Sequence, residues 1–225
     1  MIDFAYSRLN LRFNPFGELD RQQRVECAVP KIELRPLADF IASKTRERRA
    51  VQFLGSRGSG KTTHLWLLNS LLHDFHYLHI PEGATRSLPQ RSHLMIDEAQ
   101  RMTWWQRRNS FKKARRVILG THRCYAARLR RLGFNTVTVQ LDTLPKADWL
   151  ASLLKQKIDY AIRCPENTDL TIAPNDVANL RDQYGHNIRQ IERHLYEVIQ
   201  SQLQSQRLQS QRSTERIPDK ELFGS

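Results

Sequence analysis

Eight consecutive residues, Gly55-Ser56-Arg57-Gly58-Ser59-Gly60-Lys61-Thr62, match the pattern GxxxxGK[ST] without a mismatch. Glycines at these places let a short loop wrap so that successive backbone N–H groups point into one concavity. A helix opening at Thr62 adds the positive end of its dipole. Such a cradle suits a phosphate chain: Lys61 would neutralise the outer phosphates, the Thr62 hydroxyl would ligate Mg²⁺, and Gly55 to Thr63 would form the wall. A flexible surface loop could match by accident. The apolar run Val51, Phe53, Leu54 before it and the amphipathic stretch Leu65, Leu67, Leu68, Leu71, Leu72 after it supply the strand-loop-helix context that the pattern needs.

A second constellation is Asp97-Glu98 at the end of the apolar run His93 to Ile96. The C-terminal ends of strands are where open α/β sheets bind ligands. There Asp97 could hold hydrated Mg²⁺ and Glu98 could orient an attacking water. The competing reading is an acidic pair that caps the following helix. A third strand tip, Gly120-Thr121-His122, closes the run Val117-Ile118-Leu119. If it lies beside the acidic tip, Thr121 or His122 could bond a phosphate oxygen or the water; otherwise it is a Ser/Thr-type turn with a surface histidine.

The elements that must position these residues can be read in series. A helix is predicted over Pro36 to Arg49 and another over Thr62 to His73. Strands are predicted at Val51 to Leu54, Phe75 to Ile80, His93 to Ile96, Val117 to Leu119 and Thr136 to Leu141. Helical sequence fills the stretch through Ala114. Five strands separated by helices or loops imply an α/β fold with a mainly parallel sheet. Beyond Pro145 the pattern is all helix: Leu150, Leu154, Ile158 and Ile162 at helical spacing, then Asp176 to Tyr184 and Asn187 to Gln202 on either side of Gly185. The expected division is an N-terminal extension over 1–34, an α/β core over 35–145, a small helical lid over 146–203 and a disordered tail over 204–225, whose Gln/Ser/Arg-rich start could at most fray from a helix.

Of the 225 residues, 40% are hydrophobic and 26% charged, ordinary values for a globular chain. No apolar run reaches the roughly 18 residues of a membrane span, and the N-terminus lacks the features of a signal peptide, so the expectation is a cytoplasmic protein without membrane insertion. Cys27, Cys124 and Cys164 fall in no CxxC pair, which points to reduced thiols. The formal charge of +13 makes a polyanion or an acidic partner a legitimate candidate. The segment RMTWWQRRNSFKKARR, Arg101 to Arg116, interleaves Trp104, Trp105 and Phe111 with cations. Exposed, it could bind nucleic acid; the favoured expectation is an amphipathic helix that buries one or both Trp against the sheet.

Taken in order, NPFG at 14–17, GSRGSGKT, LMIDEAQ, ILGTH and GHNIRQIERHL resemble the AAA+ ATPases, in particular the branch of ExeA-type and TniB-type ATPases, over roughly Asn14 to Gln200. The resemblance implies ATP and Mg²⁺ bound between an α/β core and a helical lid. It also implies that Arg189 contacts the terminal phosphate, against the alternative of an i,i+3 partner for Glu192. Many relatives form rings in which a neighbour supplies an arginine. Arg130 and Arg131 sit at approximately that position, though a basic solvated helix explains them equally. One departure is the dozen residues from Pro81 to Ser92, too few for a full crossover helix, which puts the usual ring contacts and pore loops in doubt.

The function expected is a Mg²⁺-dependent ATP hydrolase that couples nucleotide state to a core–lid rearrangement and to assembly with DNA, a protein partner or further copies of itself. Two alternatives stay open: a nucleotide-gated adaptor with negligible turnover, and a small-molecule kinase using the same loop. No NKxD tetrapeptide for reading guanine occurs.

Overall fold

The computed structural model describes residues 5–84, 87–167 and 170–215. Five parallel strands form one sheet: β1 (Arg48–Leu54), β2 (His76–His79), β3 (His93–Asp97), β4 (Arg116–Thr121) and β5 (Phe134–Gln140), in the order β2-β3-β4-β1-β5. β1 is hydrogen-bonded on both sides, Val51 opposite Ile118 of β4 and Val137 of β5. Strands buried on both faces need continuous apolar sequence, and β4 is buried at every position.

Alternate side chains point to opposite faces, and helices cover both. On one face Val51, Phe53, Met95 and Ile118 pack against α2 (Arg35–Ala42) and α3 (Lys61–Leu71) through Ile41, Leu65 and Leu68. On the other, Ala50, Leu94, Ile96, Val117 and Leu119 pack against α4 (Trp104–Lys113) and α5 (Ala126–Arg131) through Phe111 and Leu129. β1 therefore exits toward one face and its neighbour β4 toward the other. That reversal opens a crevice beyond their C-terminal ends, where ligands of open α/β sheets settle.

The helix predicted over Pro36 to Arg49 is shorter than expected. α2 stops at Ser43, and Arg48 and Arg49 open β1. Their charges do not line a solvated helix face. Arg48 Nε donates to Ala114 O at 3.0 Å and Arg49 Nη1 to Phe40 O at 2.6 Å, so the two guanidiniums satisfy carbonyls at the C-terminal ends of α4 and α2. The stretch before α4 also differs: a short 3-10 turn, Ala99–Arg101, precedes Thr103, whose side chain accepts from Gln106 N and starts α4. Between β2 and β3 no helix occurs among the described residues, as the spacing predicts.

A second core lies among α6 (Ala147–Ala161), α7 (Pro174–Tyr184) and α8 (Ile188–Glu215), with Leu154, Ile158, Val177, Leu180 and Ile191 inside. The N-terminal segment belongs to it. Leu11 and Phe16 are buried in this core, Leu11 bridges to Ile162, and Asn14 Nδ2 donates to Tyr196 O at 3.2 Å. Residues 11–16 thus pack into the helical unit, and α1 (Arg21–Glu26), started by an Asp20–Gln23 capping box, leads from this core back to the sheet. α8 also runs further than predicted, so 204–215 of the expected tail is helix; among its described side chains Leu203 is the last that is buried. Residues 216–225 of that tail lie outside the described residues.

Candidate functional site

The loop after β1 reverses sharply through Gly58 (φ 86°) and Gly60 (φ 95°), left-handed conformations that favour glycine. Gly60 leads directly into α3, so the free N–H groups of the first helical turn face the crevice. Lys61 is buried, and its Nζ folds back to donate to Gly55 O at 2.9 Å and Ser56 O at 2.6 Å. Burial pushes the Lys61 ammonium below its ordinary pKa, opposed by the charges of Glu98, Asp97 and Asp142. A cation held against two carbonyls is poised to move to a stronger anion.

One residue on, Thr62 Oγ1 donates to Asp97 Oδ2 at 2.8 Å, which brings together the two side chains expected to hold Mg²⁺. Asp97 is fully buried. Its Oδ2 also lies 3.3 Å from Tyr77 Oη and 3.4 Å from His79 Nδ1, both on the neighbouring strand β2. Burial and the Asp97 charge push the Tyr77 phenol up to about 12, so Tyr77 keeps its proton and donates it. Gly120 on β4 leaves room for this carboxylate: a Cβ there would fall 2.8 Å from Asp97 Oδ1 and 2.8 Å from Leu65 Cδ1.

Glu98 sits in the left-handed region (φ 58°), a conformation that costs a non-glycine residue about 1–3 kcal/mol and aims its side chain across the crevice. Its carboxylate accepts from Gln100 Nε2 at 2.7 Å, pairs with Arg101 Nε at 3.3 Å and lies 3.8 Å from His122 Nε2. Burial, then the charge of Lys61, lowers the His122 pKa, so this imidazole is neutral at neutral pH. Of the two residues at the β4 tip, Thr121 lies in a local turn. Its hydroxyl donates to Arg123 O at 2.9 Å and accepts from Arg123 N at 3.0 Å, a closed Ser/Thr turn, and the β4 tip presents His122 to the crevice instead.

The helical unit closes the other side. Gly185 ends α7, and the next residues press on the glycine loop: His186 Nε2 lies 2.9 Å from Ser56 Oγ, and a Cβ on Gly58 would fall 2.3 Å from Asn187 Oδ1. Arg189 is exposed and lines the crevice. It does not pair with Glu192, whose carboxylate binds Lys157 Nζ of α6 at 3.0 Å. Arg130 and Arg131 end α5 and do not line the crevice.

Several residues here carry no motif. Asp142, just past β5, accepts from Ser56 N at 2.8 Å and Ser56 Oγ at 2.9 Å and so braces the loop from beneath. It ends a parallel strand just as Asp97 does, which was the available signal. Buried His64 accepts from Lys31 N at 3.0 Å through Nε2, which leaves Nδ1 to donate to Gly60 O at 2.8 Å. Its pKa is lowered, chiefly by burial, so it stays neutral. Only tertiary contact reveals His64, because Lys31 is 33 positions away in the chain.

Together these walls enclose a cavity of about 830 Å³. A smaller recess of about 100 Å³ adjoins it at Gly60 and Thr63, walled by Ala28 and Val29, Leu153 and Ile188. Among the described residues no group of three or more His, Cys, Asp and Glu forms a metal cage, no helix is long and apolar enough to cross a membrane, and the three cysteines are free thiols, Cys27 buried and the other two exposed.

No family model matches the chain, and no curated protein matches it. Among solved structures, the fold is distantly similar to NtrX from Brucella abortus, with a TM-score of 0.46 and 14% identity over 91% of this chain and 55% of that one. The chain thus spans about half the length of that protein.

Proposed function

We propose that this chain is an ATP-binding, Mg²⁺-dependent ATP hydrolase of the AAA+ type, close to the ExeA-type and TniB-type branch that its motifs resemble. The observation that carries the reading is the meeting of the Gly55–Thr62 loop with Asp97 and Glu98 at the one crevice where the sheet reverses its connections. In this reading the backbone N–H groups of residues 58 to 62 and the start of α3 bind the phosphate chain. Lys61 leaves the Gly55 and Ser56 carbonyls to pair with the outer phosphates. The base lies toward the recess beside Thr63, and Arg189 reaches the terminal phosphate from the helical unit.

Thr62 and Asp97 fit Mg²⁺: a hydroxyl and a carboxylate, hard oxygen donors 2.8 Å apart, would hold the ion. Bound there, the ion would neutralise charge shared by the outer two phosphates. Glu98 orients and polarises the attacking water, and since its carboxylate is held by Gln100 and Arg101, it must turn from them to do so. That same restraint favours a second reading, a nucleotide-gated adaptor in which turnover stays negligible until a partner frees Glu98.

Phosphate release and ATP binding measured side by side on Glu98→Gln test the proposal. Binding should persist while turnover falls by at least about 100-fold. Undiminished turnover would remove Glu98 from the chemistry, and absence of Mg·ATP binding by the unaltered chain would sink the whole assignment. Binding without turnover in the unaltered chain, alone or crowded with its own copies, would select the adaptor.

A further inference from the structure

The chain between Glu98 and Asp142 carries eleven Lys or Arg and no Asp or Glu. Topology places both helices of this segment, α4 and α5, on the same face of the sheet. Some of these cations are used internally: Arg101 pairs with Glu98, Arg107 Nη1 donates to Tyr125 Oη at 3.1 Å, and buried Arg116 donates to the carbonyls of Ser43 and Thr45. Others are not. Arg108, Lys112 and Lys113 on α4 and Arg130 and Arg131 on α5 are exposed, and none makes an ion pair among the described residues. None of them lines the nucleotide cavity.

The same face overturns the expectation that α4 buries its tryptophans. Gln106, Ser110 and Phe111 face inward, while Trp104 is 44% and Trp105 66% exposed. The two indoles stand edge to face with centroids 4.5 Å apart, and the Arg108 guanidinium lies 5.4 Å over the Trp104 ring. Trp104, Arg108 and Lys112 follow one another at i, i+4, i+8, a stripe of roughly 12 Å at 1.5 Å per residue. Two large apolar rings left in water beside unpaired cations are costly for folding alone and mark a contact surface.

We infer that the outer face of α4, continued by α5, binds single-stranded nucleic acid, with Trp104 and Trp105 stacking on bases and the flanking cations contacting phosphates. Charge complementarity demands an anionic partner, and flat exposed indoles at one end of a cation row match alternating bases and phosphates. A single strand offers unpaired base faces for stacking, which an intact duplex does not. This inference does not rest on the nucleotide reading, and nucleotide is left out of the test so that the two can fail separately.

The test is anisotropy of a labelled oligothymidylate about 20 nucleotides long, titrated with the full chain at several salt concentrations. Trp104→Ala/Trp105→Ala should weaken binding at least about tenfold. Lys112→Gln/Lys113→Gln should lower the salt dependence, about 0.7 in log–log slope for each cation removed. Circular dichroism and melting of each variant separate a lost contact from a lost fold, and Trp104→Phe/Trp105→Phe, which keeps stacking rings, should recover most of the affinity. Unchanged affinity in a folded tryptophan-to-alanine variant overturns the inference. So does a preference for duplex of the same length, or binding to phosphatidylserine vesicles with none to the oligonucleotide.

Discussion

Asn187 Oδ1 occupies the space where a Cβ on Gly58 would stand, 2.3 Å from that position, so the helical unit touches the glycine loop at the tip of its curl. Gly58 is also left-handed (φ 86°), and a side chain there meets both obstacles together. Gly58→Ala should push residues 187–189 away from the loop and weaken nucleotide binding by at least about tenfold, while the melting temperature falls only modestly. Calorimetric titration with Mg·ATP beside a thermal melt checks this; unchanged affinity would mean that the contact does not shape the site.

Under the proposed function, the hydroxyl of Thr62 serves the ion rather than the fold. Thr62→Val keeps the shape of the side chain and removes its donor and its ligand oxygen. Affinity for ATP with magnesium should fall toward the affinity measured in excess EDTA, which should itself change little. A loss of the same size in both conditions would place Thr62 in the phosphate cradle and not at the metal.

Asp142 predicts a different signature. Its carboxylate takes the Ser56 backbone N–H and hydroxyl, and hydrogen bonds to charged groups contribute roughly 1.5–3 kcal/mol. As Asp142 is partly exposed, Asp142→Ala is expected at or below the lower end of that range in stability. It should also loosen the loop and reduce nucleotide affinity about tenfold with or without magnesium. Asp142→Asn keeps acceptor capacity and should recover part of both losses.

Buried His64 makes stability depend on pH. Its folded pKa lies below the ordinary 6.5 because burial disfavours the cation, so the unfolded chain takes up a proton that the folded chain resists. The His64 contribution is whole above pH 6.5 and is lost as pH falls from there toward the depressed folded value. A protonated Nε2 would also face the Lys31 N–H donor to donor. Melting temperatures taken from about pH 8 to about pH 5.5 should fall less steeply for His64→Gln than for the unaltered chain. Parallel curves would show that another group carries the acid sensitivity.

What could be read from the chain beforehand was whatever depends on near neighbours. The order of five strands, the loop after the first and the acidic pair after the third follow from apolar runs that end in glycine or carboxylate. Three positions read differently once their neighbours are in place. Arg48 and Arg49 look like the charged end of a helix, but carbonyls of Ala114, Leu132 and Phe40 capture them from other elements. Thr121 looks like a phosphate ligand until Arg123 closes the turn on it. Trp104 and Trp105 look like core residues, but Phe111 and Met102 already fill that face of the sheet. The two arginines depend on which distant atom arrives first, as Asp142 and His64 also do, whereas the Thr121 turn closes within two residues and Met102 and Phe111 lie near the tryptophans in the chain.

Leu11, Phe16 and Asn14 find their partners at Ile162, on α6 and at Tyr196. On the ribosome, Leu11 and Phe16 emerge well before Ile162 and Tyr196. The sheet can assemble from residues 48–140 in the interval, whereas the helical unit has no complete interior until Leu11 meets Ile162 across roughly 150 residues, a closure whose entropic cost grows only with the logarithm of that length. Residues 146–215 expressed alone would lack one wall of their own interior, so a stable C-terminal fragment needs residues 5–17 supplied in trans or fused to it.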